Sequence, residues 1–96
     1  MIVCLSPWNF PGTNNLNLGY QNYVNGMERV AEAQGVYFID ASDVDLVGVD
    51  MQNAGFRTIY CMDPGDISHL NQKGMKFVFP KFEKILAEYY ADFMSK

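Results

Sequence analysis

Positive charge, cysteine and histidine are all scarce in this 96-residue chain, and each scarcity excludes something. Seven Lys and Arg residues stand against eleven Asp and Glu, and no basic cluster exceeds two residues. Phosphate backbones are bound by concentrated positive charge, so nucleic acid is not an expected partner. Only two cysteines occur, Cys4 and Cys61, with no C-x-x-C pair and a single histidine in the chain to share a metal with them. They read as buried free thiols rather than as a disulfide or a metal site, and no cofactor is expected. Long apolar runs are missing as well. The opening Met1–Leu5 is too short and lacks the basic flank of a signal peptide, and no segment approaches the roughly 20 residues that span a bilayer. The expectation is a soluble chain without a signal peptide or a membrane span.

What the chain has is apolar side chains. They make up 49% of it, with 15% aromatic, a richness that excludes disorder. The length suits one small domain covering residues 1–96. A chain this short buries only about 60% of its unfolded surface. Part of its apolar surface is therefore expected to meet a partner, another domain or a second copy in a homodimer.

Ile2-Val3-Cys4-Leu5 is a short apolar run ended by Ser6-Pro7, the pattern of a buried strand. Residues 6–16 carry two prolines, Gly12 and three asparagines and read as a loop. From Leu18 to Gln34 the apolar positions Tyr20, Tyr23, Val24, Met27, Val30 and Ala31 recur at three- and four-residue steps, which predicts an amphipathic helix stopped by Gly35. Val36-Tyr37-Phe38-Ile39 reads as a second buried strand with Asp40 at its carboxyl end. Strand, helix and strand with short connections predict a βαβ unit with parallel strands.

Residues 41–62 are less regular, and Phe56 to Met62 reads as a short extended piece. After Asp63-Pro64-Gly65, the positions Met75, Val78, Phe79, Phe82, Ile85, Leu86, Tyr89 and Phe93 form one apolar stripe of a long helix. Pro80 falls inside that stripe, and an interior proline costs roughly 3 kcal/mol, so a kink or a break into two helices is expected there. The fold class is α/β, with two strands and two main helices.

The chemistry concentrates at Asp66-Ile67-Ser68-His69, which holds the only histidine. Imidazole exchanges protons near neutral pH, and a carboxylate on its far nitrogen fixes the tautomer and stabilises the imidazolium. The plain alternative is a surface histidine beside an acid that caps a turn or helix start. Two other patterns are weaker. Asp43, Asp45 and Asp50 place Gly48 sixth in a would-be calcium loop, but Ala54 stands where the twelfth-position Glu belongs, so they read as a solvated acidic loop. Trp8 and Phe10 suit either core packing or the wall of an acyl pocket.

The run from Asp66 to Gly74, D-x-x-H-x-N-x-x-G, resembles the last conserved block of the SGNH hydrolases, the GDSL esterase/lipase family. The strand ending in Ser6-Pro7, the amphipathic helix and the strand ending in Asp40 resemble that family's C-terminal half, so the likeness runs along essentially the whole chain. It implies a partial flavodoxin-like three-layer domain, a short parallel sheet flanked by helices. It also implies ester or acyl hydrolysis by a Ser-His-Asp triad, with His69 as general base and Asp66 orienting it. Leu70 stands where the family usually has proline.

The family's G-D-S nucleophile block is absent. Gly65-Asp66-Ile67-Ser68 overlaps the acid–histidine block and does not replace it, and Gly12-Thr13-Asn14-Asn15 mimics the oxyanion block but lies on the wrong side of the first strand. Asn14 is therefore expected to be a loop residue. Among local serines, Ser6 and Ser42 follow strand ends and Ser68 adjoins the histidine, with Ser6 the least implausible substitute. The resemblance thus implies a hydrolase half that carries acid and base but is inactive alone, with a missing N-terminal half as its partner and a small ester as the substrate of the complete enzyme. The alternative is a non-catalytic α/β interaction or dimerisation module.

Overall fold

A computed structural model describes residues 1–96, all of the chain. Two short strands, β1 (Val3–Leu5) and β2 (Tyr37–Ile39), pair in parallel, with Val3 opposite Tyr37, Cys4 opposite Phe38 and Leu5 opposite Ile39. The connection between them is helix α1 (Tyr20–Gln34), which packs against both strands and buries Val24 and Ala31. Gly35 ends it in the left-handed region, φ 65°, where its N–H returns to the carbonyls of Ala31 and Glu32. The expected βαβ unit is present, and the protein is a small α/β unit with a two-stranded parallel sheet and four helices.

The segment after β2 departs from expectation. Residues 41–62 contain two helices, α2 (Val44–Val47) and α3 (Ala54–Tyr60). The stretch from Phe56 is therefore helical, not extended, and only Cys61 joins a β-bridge, with Leu70. Local capping explains the difference. The Asn53 side chain accepts the Phe56 N–H at 3.0 Å, and Phe56 and Tyr60 stack one turn apart, a contact available only to a helix. Asp43 caps α2 in the same way.

Helix α4 (Gln72–Met94) runs unbroken through Pro80. Pro80 lies on the exposed side, where water can hydrate the Lys76 carbonyl that has lost its N–H partner. The apolar stripe is real but only partly covered. Val78 and Ile85 are buried, whereas Met75, Phe79, Leu86 and Phe93 remain substantially exposed. Neither α4 nor any other helix is long and apolar enough to cross a membrane.

The core lies mostly beyond the sheet. Val47, Val49, Met51, Cys61, Leu70 and Val78 form one cluster, with Trp8, Phe56 and Phe82 packed on it. Two of these residues, Val49 and Met51, come from the link between α2 and α3, so this irregular segment supplies the tightest packing in the molecule. Across the sheet, Tyr89 of α4 stacks on Tyr37 with ring centroids 4.8 Å apart and donates its hydroxyl to the Phe38 carbonyl.

Candidate functional site

The segment between α3 and α4 is a loop closed at its base. Beside the Cys61–Leu70 bridge, the Met62 N–H donates to the His69 carbonyl at 3.1 Å and the Asn71 N–H to the Tyr60 carbonyl at 2.8 Å. Inside it, the Asp63 carboxylate accepts the Gly65 N–H at 2.8 Å, a side-chain-mimicked turn. Two outside residues pin the loop. Arg57 on α3 donates Nε–H to the Pro64 carbonyl at 2.9 Å and a second N–H to the Met51 carbonyl. The Trp8 indole N–H donates to the Ser68 carbonyl at 3.2 Å and ties the loop to the chain that leaves β1.

At the tip, Asp66 and His69 meet. Both carboxylate oxygens of Asp66 lie 3.1 Å from His69 Nδ1. One of those oxygens also accepts the backbone N–H groups of Ser68 at 2.9 Å and His69 at 3.0 Å. The Ser68 N–H above all holds the Asp66 carboxyl below the usual carboxylate range against the opposing effect of its partial burial, and the N–H and imidazole of His69 add to the lowering. The carboxylate is largely covered, with 17% of its side chain exposed, while the imidazole is 74% exposed. A neutral imidazole that directs Nδ1–H at the carboxylate keeps a lone pair on Nε2. Asp66 is thus a turn residue and an imidazole partner at once. The cap of α4 is a different residue, Asn71.

The other two motif positions hold the loop rather than touch the pair. Asn71 accepts the Gly74 N–H at 2.8 Å and donates its amide to the carbonyls of Ile59 and Cys61 at 2.9 and 3.0 Å. Gly74 sits where a Cβ would lie 2.3 Å from the Tyr60 carbonyl oxygen, so α3 and α4 approach this closely only over glycine. Leu70, at the position usually taken by proline, is buried in the core.

Ile67 and Ser68, between the acid and the base, form one side of an open groove of about 630 Å³. Leu5, Trp8, Phe10 and Tyr23 supply its apolar walls, which puts Trp8 and Phe10 together at the carboxyl end of β1. Asn14 borders the groove, but both ends of its side chain are used within the loop. Its amide donates to the Tyr23 hydroxyl and its oxygen accepts the N–H groups of Leu16 and Leu18.

None of the candidate serines presents its hydroxyl to His69. Ser6 is buried; its oxygen accepts the Ala41 N–H at 2.7 Å and lies 3.4 Å from the Asp40 carboxylate. Ser42 donates to that same carboxylate. Both serines knit the strand ends together through Asp40. Ser68 lines the groove, and its hydroxyl makes no hydrogen bond to the imidazole. The acidic loop is also engaged locally, Asp43 as a helix cap and Asp50 accepting from Asn9 and the Gln52 N–H. The thiols differ from each other. Cys61 is buried, and that burial, followed by the nearby Asp66 charge, pushes its pKa up, whereas Cys4 is only half-buried. Cys4 lies on the first strand of a sheet with no further strand beside it, which leaves it partly open.

Arg57 and the Trp8 indole are the residues that spacing did not single out as supports of the loop. A lone cation in an unclear segment and a lone tryptophan in a proline-rich loop carry no periodic signal. Compared with protein-family models, with curated proteins and with solved structures, the chain matches none.

Proposed function

We propose that Asp66 and His69 are the acid and general base of an ester hydrolase of the SGNH type, and that the nucleophilic serine is not among these 96 residues. The observation that carries the reading is the pairing of His69 Nδ1 with both oxygens of a carboxylate that backbone N–H groups keep ionised, beside an apolar groove of acyl-chain size. In such a site Asp66 fixes the Nδ1–H tautomer, Nε2 withdraws the proton from an incoming serine hydroxyl and then returns it to the leaving alcohol. Asn71 and Gly74 are positioning residues that hold the loop against α3. An acid–base pair without nucleophile or oxyanion donors supplies little rate, so the chain alone is inactive.

Nitrogen-15 NMR of His69 tests the dyad. The expected neutral tautomer has Nδ1 protonated and Nε2 bare, and Asp66→Asn shifts the population toward the other form. A neutral imidazole protonated at Nε2 in the wild type rejects the assignment. Hydrolysis of p-nitrophenyl acetate tests the divided arrangement, with the wild type expected to match His69→Ala. Turnover that His69→Ala abolishes would mean the nucleophile lies within this chain.

A non-catalytic interaction module is the second reading, favoured by the exposed apolar side chains of α4 and β1.

A further inference from the structure

We infer that the free edge of β1 is the interface of a symmetric dimer, in which β1 pairs antiparallel with β1 of a second copy of this chain. The inference rests on the sheet edge and is independent of the Asp66–His69 pair.

The two edges of the sheet are unlike. Backbone groups of a strand point alternately to its two sides. The Tyr37 N–H donates to the Ile2 carbonyl and the Ser6 N–H to the Ile39 carbonyl, so the even-numbered residues of the first strand face β2. Val3 and Leu5 therefore direct their N–H and C=O groups to the other side, where no hydrogen bond reaches them. On β2 the outward carbonyl is that of Phe38, and the Tyr89 hydroxyl occupies it. On one edge a side chain takes the outward carbonyl, and the other edge is bare. An assembly built on the bare edge uses it up in both copies, so it stops at two and does not grow into a fibre.

The bare edge is only three residues long and is followed by Pro7, but it lacks one common defence, a charge on the strand. An inward or flanking charge keeps many exposed strands from pairing. Here the first charged side chain in the sequence is Glu28, although the chain carries a net charge of −4. β1 itself brings no carboxylate to the contact; the one that lines the groove beside Val3 and Leu5 is Glu83 of α4.

The surface area points the same way. A folded monomer of 10.9 kDa exposes about 5,600 Å², whereas this chain exposes 6209 Å². The excess, about 600 Å², is what each partner of a small stable interface buries. The shape agrees. The radius of gyration is 14.4 Å, against about 12.5 Å for a compact chain of this length, and the molecule is a slab measuring 43 × 32 × 17 Å. Leu5, Phe79 and Leu86, exposed by 48, 56 and 38%, border an apolar groove of about 500 Å³ between β1 and α4 and would be covered by the same contact.

Register follows from which residues face outward. Val3 of each copy pairs with Leu5 of the other through four N–H···O bonds in all, and Cys4 then lies opposite Cys4 at a non-hydrogen-bonded position. The Cα atoms at such a position stand about 4.5 Å apart, within disulfide range. This gives a direct test in the intact chain. Sedimentation should report twice the 10.9 kDa mass at micromolar concentration. Diamide, which takes two electrons and two protons from a pair of thiols, should cross-link the wild type and Cys61→Ser but not Cys4→Ser. Leu5→Pro removes an outward N–H from each copy and should raise the dimer Kd at least about tenfold, with an unchanged far-UV spectrum.

A monomeric wild type overturns the inference, as does a dimer that Cys4 does not cross-link or that a folded Leu5→Pro retains. If the edge is filled only when a different chain is added, it belongs to that chain and the inference also falls. Cross-linking of the wild type needs no variant that might misfold. His69→Ala should leave the dimer intact, which separates this result from the fate of the hydrolase reading.

Discussion

Val47, Val49 and Met51 are fully buried in a cluster with Val78 of α4, Cys61 and Leu70, while at the sheet Val3, Cys4, Tyr37 and Phe38 are only half-buried and Leu5 is exposed. The first region is nearly all local in sequence, running from α2 to the middle of α4. The second joins segments more than thirty residues apart. Two strands alone seldom make a stable sheet. The candidate site belongs to the first region: its loop grows from α3 and α4 and is hydrogen-bonded to the sheet end only through Trp8. A chain can therefore keep a well-defined acid–base pair while its sheet remains open to a partner.

Substitutions that load the two regions differently test this division. The largest effect is expected at Gly74, where Gly74→Ala drives a methyl group into the Tyr60 carbonyl and should cost about 4 kcal/mol in urea denaturation, near the upper limit for overpacking. A loss under about 1 kcal/mol would show that α3 and α4 part easily and that the packed region is looser than described. Met51→Ala should cost about 3 kcal/mol, whereas Phe79→Ala, on the open side, should cost less than about 1 kcal/mol despite removing more atoms. Equal losses would erase the contrast between the regions.

The smallest effect concerns pH. The Asp66 carboxyl is held below its ordinary range by the Ser68 and His69 N–H groups, so the folded state binds its proton less readily than the unfolded state. The stability this gives is present at neutral pH and is lost as pH falls through the lowered value. Urea midpoints of the wild type and Asp66→Asn should therefore differ at neutral pH and converge in acid. A difference that grows on acidification would contradict the sign.

Much of this was legible in the residues. The steps of three and four from Tyr20 to Ala31 and the glycine behind them located α1, and two apolar runs flanking it located the parallel strands. Asp66 and His69 were visible as a pair because the chain holds one histidine. The helix at Ala54–Tyr60 was missed because its signal is a cap and a single aromatic pair, too little periodicity to compete with Ile59-Tyr60-Cys61-Met62, which looks like a strand. The continuity of α4 through Pro80 depended on which side faces water, a matter of tertiary placement. The roles of Asn71 and Gly74 depend on the approach of α3, an element the pattern did not reveal.

Trp8 is the only tryptophan, and its indole is bonded to the carbonyl of Ser68, between the acid and the base. The molecule thus carries an intrinsic optical probe at the one hydrogen bond that spans the sheet end and the loop of Asp66 and His69. Displacement of that loop by an acyl chain or a docking segment would release the indole and alter its emission, which makes occupancy of the groove readable without a label.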